Sequence, residues 1–198
     1  LNPIKFSLHI LLLTATLLLA SRGMAQAEPS LAGHWLINEK LSDDTDDEVE
    51  KAMKKSGAKL MTHTWFDRRK DKYRGGPAEQ EIYDRLSYDP VLTISRHDDS
   101  YLFEYADDYK TVVYTDNHSH TVSLNALDAS EDFLMGHWEG ERFQVEMHPR
   151  DGGYVYATYT LIDGSKKESN KRLQALFTIK PGSFTEEIKL ERVYDRKH

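Results

Sequence analysis

Polar and apolar residues alternate most cleanly near the end of this chain. There Ile188, Leu190, Arg192 and Tyr194 fall on one parity, and Glu187, Lys189 and Glu191 on the other. Side chains of an extended strand point to opposite faces in turn, so the apolar parity faces a core and the charged parity faces water. Trp35 with Ile37, then Tyr101, Phe103 and Tyr105, then Phe143, Val145 and Met147 form further inward stripes. Strand-like runs cover Gly33–Asn38, Val91–His97, Tyr101–Tyr105, Lys110–Thr115, Ser119–Ala126, Phe133–Glu139, Arg142–His148, Tyr154–Leu161, Lys171–Ile179 and Thr185–Tyr194. Between them stand turn-forming groups such as Asp98-Asp99-Ser100, Asp116-Asn117, Asp151-Gly152-Gly153 and Pro181-Gly182. The spacing predicts an all-β fold, an antiparallel up-and-down barrel of about eight to ten strands. Closure is favoured because it removes the exposed edges that an open sheet would leave.

The connection Glu39–Pro90 is too long for a hairpin and carries a different period. Thr45-Asp46-Asp47-Glu48 reads as a capping box ahead of Val49, Ala52 and Met53, which are spaced to share one helix face, and Gly57 stands at a stop position. A helix is expected near Asp46–Ser56. A second is expected over Ala78–Ser87, where Ile82 and Leu86 share a face and Pro90 forbids continuation. The helical insertion, about residues 43–88, thus follows the first strand. Between its helices the run Arg68-Arg69-Lys70 is basic. It reads first as a solvated loop and second as a contact to a membrane surface or phosphate.

Residues 1–27 stand apart. A basic Lys5, the apolar run Leu8–Ala20 and the ending Ala25-Gln26-Ala27 are the parts of a cleavable signal peptide, with cleavage after Ala27 or Ala25. The run is shorter than the ~20 residues of a membrane span. The expected mature domain, 28–198, is periplasmic or secreted, with no transmembrane segment. Losing Lys5 and Arg22 makes it two units more negative than the −7 of the whole chain. An acidic exported domain matches nucleic acid poorly, because phosphates demand a basic face. With no cysteine in the chain, disulfide, thiolate and lipid-anchored chemistry are excluded. The 39% hydrophobic content is modest, as befits stripes rather than the continuous apolar runs of a parallel sheet.

Gly33-His34-Trp35 opening the first strand resembles the G-x-W motif of the calycins, the superfamily of lipocalins and fatty-acid-binding proteins. A helical insertion after the first strand, and the tail Glu191-Arg192-Val193-Tyr194-Asp195-Arg196, resemble the fatty-acid-binding branch in particular. The resemblance implies roles for Trp35, Arg192 and Tyr194, the last two holding a ligand carboxylate, while Tyr101, Phe103 and Tyr105 are expected to line the site because their stripe faces inward. In lipocalins a late arginine packs across the G-x-W tryptophan, so the same resemblance allows Arg192 to close the base against Trp35. Trp138-Glu139-Gly140 and Leu161–Gly164 echo further motifs of the branch at a wider separation. The chain is also similar to uncharacterised bacterial exported proteins carrying W-x-x-N and R-V-Y-x-R, here Trp35…Asn38 and Arg192–Arg196.

The expected function is the binding of a small, mainly apolar ligand, fatty-acid-like and carboxylate-bearing, without chemistry. The alternative is a filled barrel serving interaction or stress response with no ligand. His118 and His120 share a strand face and could meet one metal ion, though His118 follows the turn Asp116-Asn117. His137 and Glu139 share a face and could act as an acid–base pair inside a barrel. No nucleophile motif or phosphate loop occurs, and no cofactor is expected.

Overall fold

Turn chemistry sets the path of this chain, and strand alternation sets what each stretch buries. The computed structural model describes residues 29–56, 90–106, 109–123, 131–150, 152–164, 171–182 and 184–197. The expected signal peptide at residues 1–27, the basic run Arg68-Arg69-Lys70 and the expected second helix at Ala78–Ser87 lie outside them. Among the described residues the strands are β1 (Gly33–Ile37), β2 (Val91–Arg96), β3 (Ser100–Tyr105), β4 (Lys110–Tyr114), β5 (His120–Ser123), β6 (Glu131–Glu139), β7 (Arg142–His148), β8 (Gly153–Asp163), β9 (Lys171–Pro181) and β10 (Ile188–Arg196); one helix, α1 (Thr45–Lys55), follows β1. The ten strands form one antiparallel sheet in the order β4-β3-β2-β1-β10-β9-β8-β7-β6-β5. Only one neighbouring pair, β1 and β10, joins strands that are not consecutive in the chain. This is the expected up-and-down barrel with its helix after the first strand.

The barrel nearly closes where β4 approaches β6. Asn117, just past β4 in the left-handed conformation that asparagine tolerates (φ 58°), donates its N–H to the Gly136 carbonyl at 3.0 Å. A Cβ on Gly136 would stand 2.4 Å from the Tyr114 carbonyl oxygen and 2.5 Å from a Val113 methyl. Glycine at this strand-interior position therefore permits the approach that seals the seam.

Inside, the side chains form two groups. The larger fills the base: Trp35, Tyr101 and Phe143 are fully buried there, with Leu31, Leu92, Ile94, Leu173 and Tyr194 among their neighbours. The Tyr101 and Phe143 rings tilt against each other at 5.2 Å, and Trp138 meets Phe143 at 5.3 Å. The second lies under the helix, where Val49, Ala52 and Met53 pack with Val155, Ile179, Phe184, Ile188 and Leu190. The apolar spacing in α1 thus does what it predicts.

Two details depart from expectation. The N-cap of α1 is Asp44, whose carboxylate accepts the Asp47 N–H at 3.1 Å, and Thr45 is the first helical residue. An Asp at N-cap does the work assigned to Thr45, and the Thr45 hydroxyl points into the barrel instead. The last strand also begins later and runs further than expected, from Ile188 to Arg196, because β1 pairs with its charged end through Trp35↔Arg196 and Ile37↔Tyr194.

Replacing Gly136 with alanine should destabilise the fold by about 1–3 kcal/mol through overpacking against the Tyr114 backbone. A urea titration measures this. An unchanged midpoint would mean the seam is not held by close packing.

Candidate functional site

Between the aromatic base and the helix-covered group lies a cavity of about 60 Å³, its wall drawn from β3, β4, β6, β7, β8, β9 and β10. Most of that wall is apolar: Phe103, Val113, Leu134, Val145, Met147, Val155, Ala157 and Phe177. The polar members are Tyr105, Tyr109, Thr111, Tyr159 and Arg192. A water needs roughly 10–15 Å³ by this kind of measure, so the space holds a handful of waters. Ligand pockets usually occupy about 300–1,000 Å³.

Arg192 enters the barrel because it shares a parity with Ile188, Leu190 and Tyr194, all buried. Its own exposure is 2%. One guanidinium nitrogen donates to the Thr45 hydroxyl at 3.3 Å, and the charge sits 5.5 Å from the centre of the Phe177 ring. A cation at the first residue of a helix is opposed by the helix dipole. Asp44 at the cap and Asp46, Asp47 and Glu48 in the first turn offset it with negative charge.

Phenols occupy the wall beside it. Tyr105 and Tyr159 hydrogen-bond through their hydroxyls, Tyr159 lies 5.0 Å from the Phe103 ring, and Tyr105 packs on Tyr109 at 5.6 Å. Burial, followed by the neighbouring Tyr159, holds the Tyr105 hydroxyl well above the usual phenol range. Burial also raises Tyr159, against smaller lowering effects from the Tyr105 hydrogen bond and the Arg192 charge. Both are neutral donors at any physiological pH. Among the described residues, Thr111 Oγ1 is buried with no hydrogen-bond partner.

Of the residues expected from sequence to bind ligand, Arg192, Phe103 and Tyr105 are on the cavity wall. Tyr194 is 1% exposed and belongs to the base group, near enough to act electrostatically on Tyr105 and Tyr159. Trp35 and Tyr101 are fully buried in the base and do not line the cavity. The alternative placement of Arg192 across Trp35 is corrected, because that position belongs to Arg196. Its guanidinium stands 5.1 Å from the Trp35 ring centre and donates to the Ala32 carbonyl at 2.6 Å, while the Trp35 indole N–H donates to the Leu31 carbonyl at 3.0 Å. Gly33 leaves room for this crossing, since a Cβ there would lie 3.0 Å from the same arginine nitrogen.

Tyr109, Thr111, Tyr159 and Phe177 were not anticipated. Tyr154-Val155-Tyr156-Ala157-Thr158-Tyr159 puts aromatic residues on both parities, so composition does not choose the inward face; register with β7 and β9 does.

The other candidate chemistry does not line the cavity. His137 and Glu139 occupy the parity opposite Leu134, Gly136 and Trp138, which pack inward, so the expected acid–base pair inside the barrel is not formed; exposed Glu139 accepts a hydrogen bond from Gln144. His118 and His120 both contact Asp116, and His120 stacks on Tyr114 at 4.1 Å. Among the described residues no three His, Asp or Glu side chains are grouped to hold a metal ion, and no helix is long and apolar enough to cross a membrane.

No family model and no curated protein sequence matches the chain. Solved structures do match it, among them the crystal structure of apo Caenorhabditis elegans lipid binding protein 8. That protein is 13% identical, the match covers 87% of this chain and 100% of that one, and the TM-score is 0.50. At that identity the likeness is one of fold. The architecture, a nearly closed ten-strand antiparallel barrel with a helix after the first strand, is the fold the chain shares with that protein.

The buried phenols give this site a pH signature. A phenol raised in the folded state contributes stability that is complete below its ordinary value of about 10 and is lost as pH rises toward the folded value. Urea midpoints should therefore fall between about pH 9 and pH 11. A Tyr105→Phe/Tyr159→Phe double variant should lose less over the same window, since both hydroxyls leave together and neither is orphaned. Equal losses in the two proteins would show that these phenols do not titrate with unfolding.

Proposed function

We propose that this chain binds one small, mainly apolar molecule in its interior cavity, with an anionic end directed at Arg192. The observation that carries the reading is a cavity with apolar and phenolic walls into which one buried guanidinium is set. A ligand burying ~300 Å² of apolar surface would gain on the order of 7 kcal/mol before the costs of association. A charge-assisted hydrogen bond adds about 1.5–3 kcal/mol. The matching worm protein, named a lipid binding protein, points the same way. Anything beyond a few atoms must displace side chains. Met147, a flexible thioether on the wall, is suited to yield. Export through residues 1–27 is part of the proposal, supported by the apolar run Leu8–Ala20 and its flanks.

One observation favours a second reading. The volume of about 60 Å³ also suits a filled barrel that binds nothing inside and serves interaction through its surface.

Calorimetric titration with straight-chain carboxylates of graded length decides between them. The intact protein should bind part of the series, and Arg192→Met should weaken that binding by about ten-fold or more. Because Arg192 also bonds Thr45, Thr45→Val serves as the control that removes the helix contact and keeps the cation. Folded protein that binds no member of the series would favour the filled barrel.

A further inference from the structure

The cavity wall contains one residue that its surroundings do not explain. Thr111 shares its inward parity on β4 with buried Val113, while Lys110 and Val112 face out. Its cross-strand partner is Phe103, and the cavity it lines includes Val113, Leu134, Val145 and Val155 as well as the polar Tyr105, Tyr109, Tyr159 and Arg192. Valine has the same shape as threonine and would suit such a wall. Among the described residues the hydroxyl is instead buried with no hydrogen-bond partner, and a buried hydroxyl that the protein itself leaves unsatisfied is disfavoured unless water or a ligand meets it. The side chain is β-branched and stiff at χ1, so turning the hydroxyl elsewhere is restricted.

Arg192 stands on a different wall. β4 and β10 are four strands apart in a ten-strand sheet that nearly closes, so Thr111 and Arg192 project toward the same space from facing sides. The cavity thus offers a cation on one wall and an unsatisfied hydroxyl on the other, with apolar surface between.

Resting on the proposed cavity reading, we propose that Thr111 is a second polar subsite and that the preferred ligand is polar at both ends: a short aliphatic acid bearing a hydroxyl or carbonyl oxygen away from its carboxylate. Thr111 can donate to a carbonyl or accept from a hydroxyl. A plain fatty acid leaves this group unsatisfied, and a site built to hydrogen-bond an oxygen discriminates against the analogue that lacks it.

The test is calorimetric titration of the full chain with straight-chain acids of roughly four to ten carbons, each compared with its ω-hydroxy counterpart. The wild type should prefer the hydroxy acid by about two- to ten-fold at the best-fitting length. Thr111→Val should erase that preference, the plain acid then binding at least as well as its hydroxy counterpart, and Thr111→Ser should retain it. Melting temperatures of both variants confirm that they fold. A wild type with no preference, or a preference that survives in Thr111→Val, overturns the subsite and leaves the cavity reading standing. A Thr111→Val protein that is more stable without ligand, with ligand preference unchanged, shows that the hydroxyl serves only water and likewise overturns it. If no acid of either kind binds, the cavity reading fails as well.

Discussion

The inward positions of β10 are two residues apart, and that spacing sets the levels of the whole barrel. Arg196 lies across Trp35 at the base, Tyr194 fills the base group, Arg192 faces the cavity, and Leu190 and Ile188 lie under α1. β10 holds this position because it is paired on both sides, to β1 through Trp35↔Arg196 and to β9 from Ile188↔Ile179 through Tyr194↔Leu173. A shift of one residue would exchange this set for Lys189, Glu191, Val193 and Asp195. The charged parity is itself anchored: Asp195 accepts from Arg172 at 2.5 Å and from Asn38 at 2.7 Å, and Gln174 donates to Glu191 at 2.6 Å. Register is therefore specified from both faces.

That same alternation is why much of the fold was legible in the sequence. Strands were found wherever turn residues bracketed a period of two, and the helix wherever Val49, Ala52 and Met53 shared a face. Misplacements followed from competing local signals. The cap moved from Thr45 to Asp44 because two adjacent residues can each cap, and only the barrel shows that Thr45 is needed inside. The end of β10 was cut short because Asp195 and Arg196 look like a solvated tail until β1 is laid beside them. The two late arginines were confounded for a related reason: one resemblance supplies a role at a ligand and another a role at the tryptophan, and both arginines lie on the same parity. The structure gives the tryptophan to Arg196 and the cavity to Arg192.

Volume was not legible at all. Parity says which side chains enter a barrel but not whether they fill it, and here the aromatic residues do most of the filling. Trp35, Tyr101, Phe143 and Trp138 pack the base, and Phe103, Tyr159 and Phe177 stack up toward the cavity with ring separations of 5.0 and 6.1 Å. Gly136 shows the opposite effect, an absent side chain with a structural purpose. A strand-interior glycine signals close approach by something, but its partner, β4, is identified only once the sheet has curled round.

Arg192 ties these levels together energetically. Its guanidinium carries several donors in a fixed fork, and one of them is committed to Thr45 at the start of α1. The positive end of the helix dipole and the guanidinium repel each other, and the acidic first turn offsets that repulsion. An anion reaching Arg192 from the cavity would supply negative charge at the same place. It would strengthen the attachment of α1 as well as its own binding, because both interactions draw on one cation in a low-dielectric interior where charge counts most. If the proposed ligand binds there, helix docking and occupation of the cavity would be coupled through a single side chain, and by linkage whatever loosens the helix would weaken the ligand to the same extent.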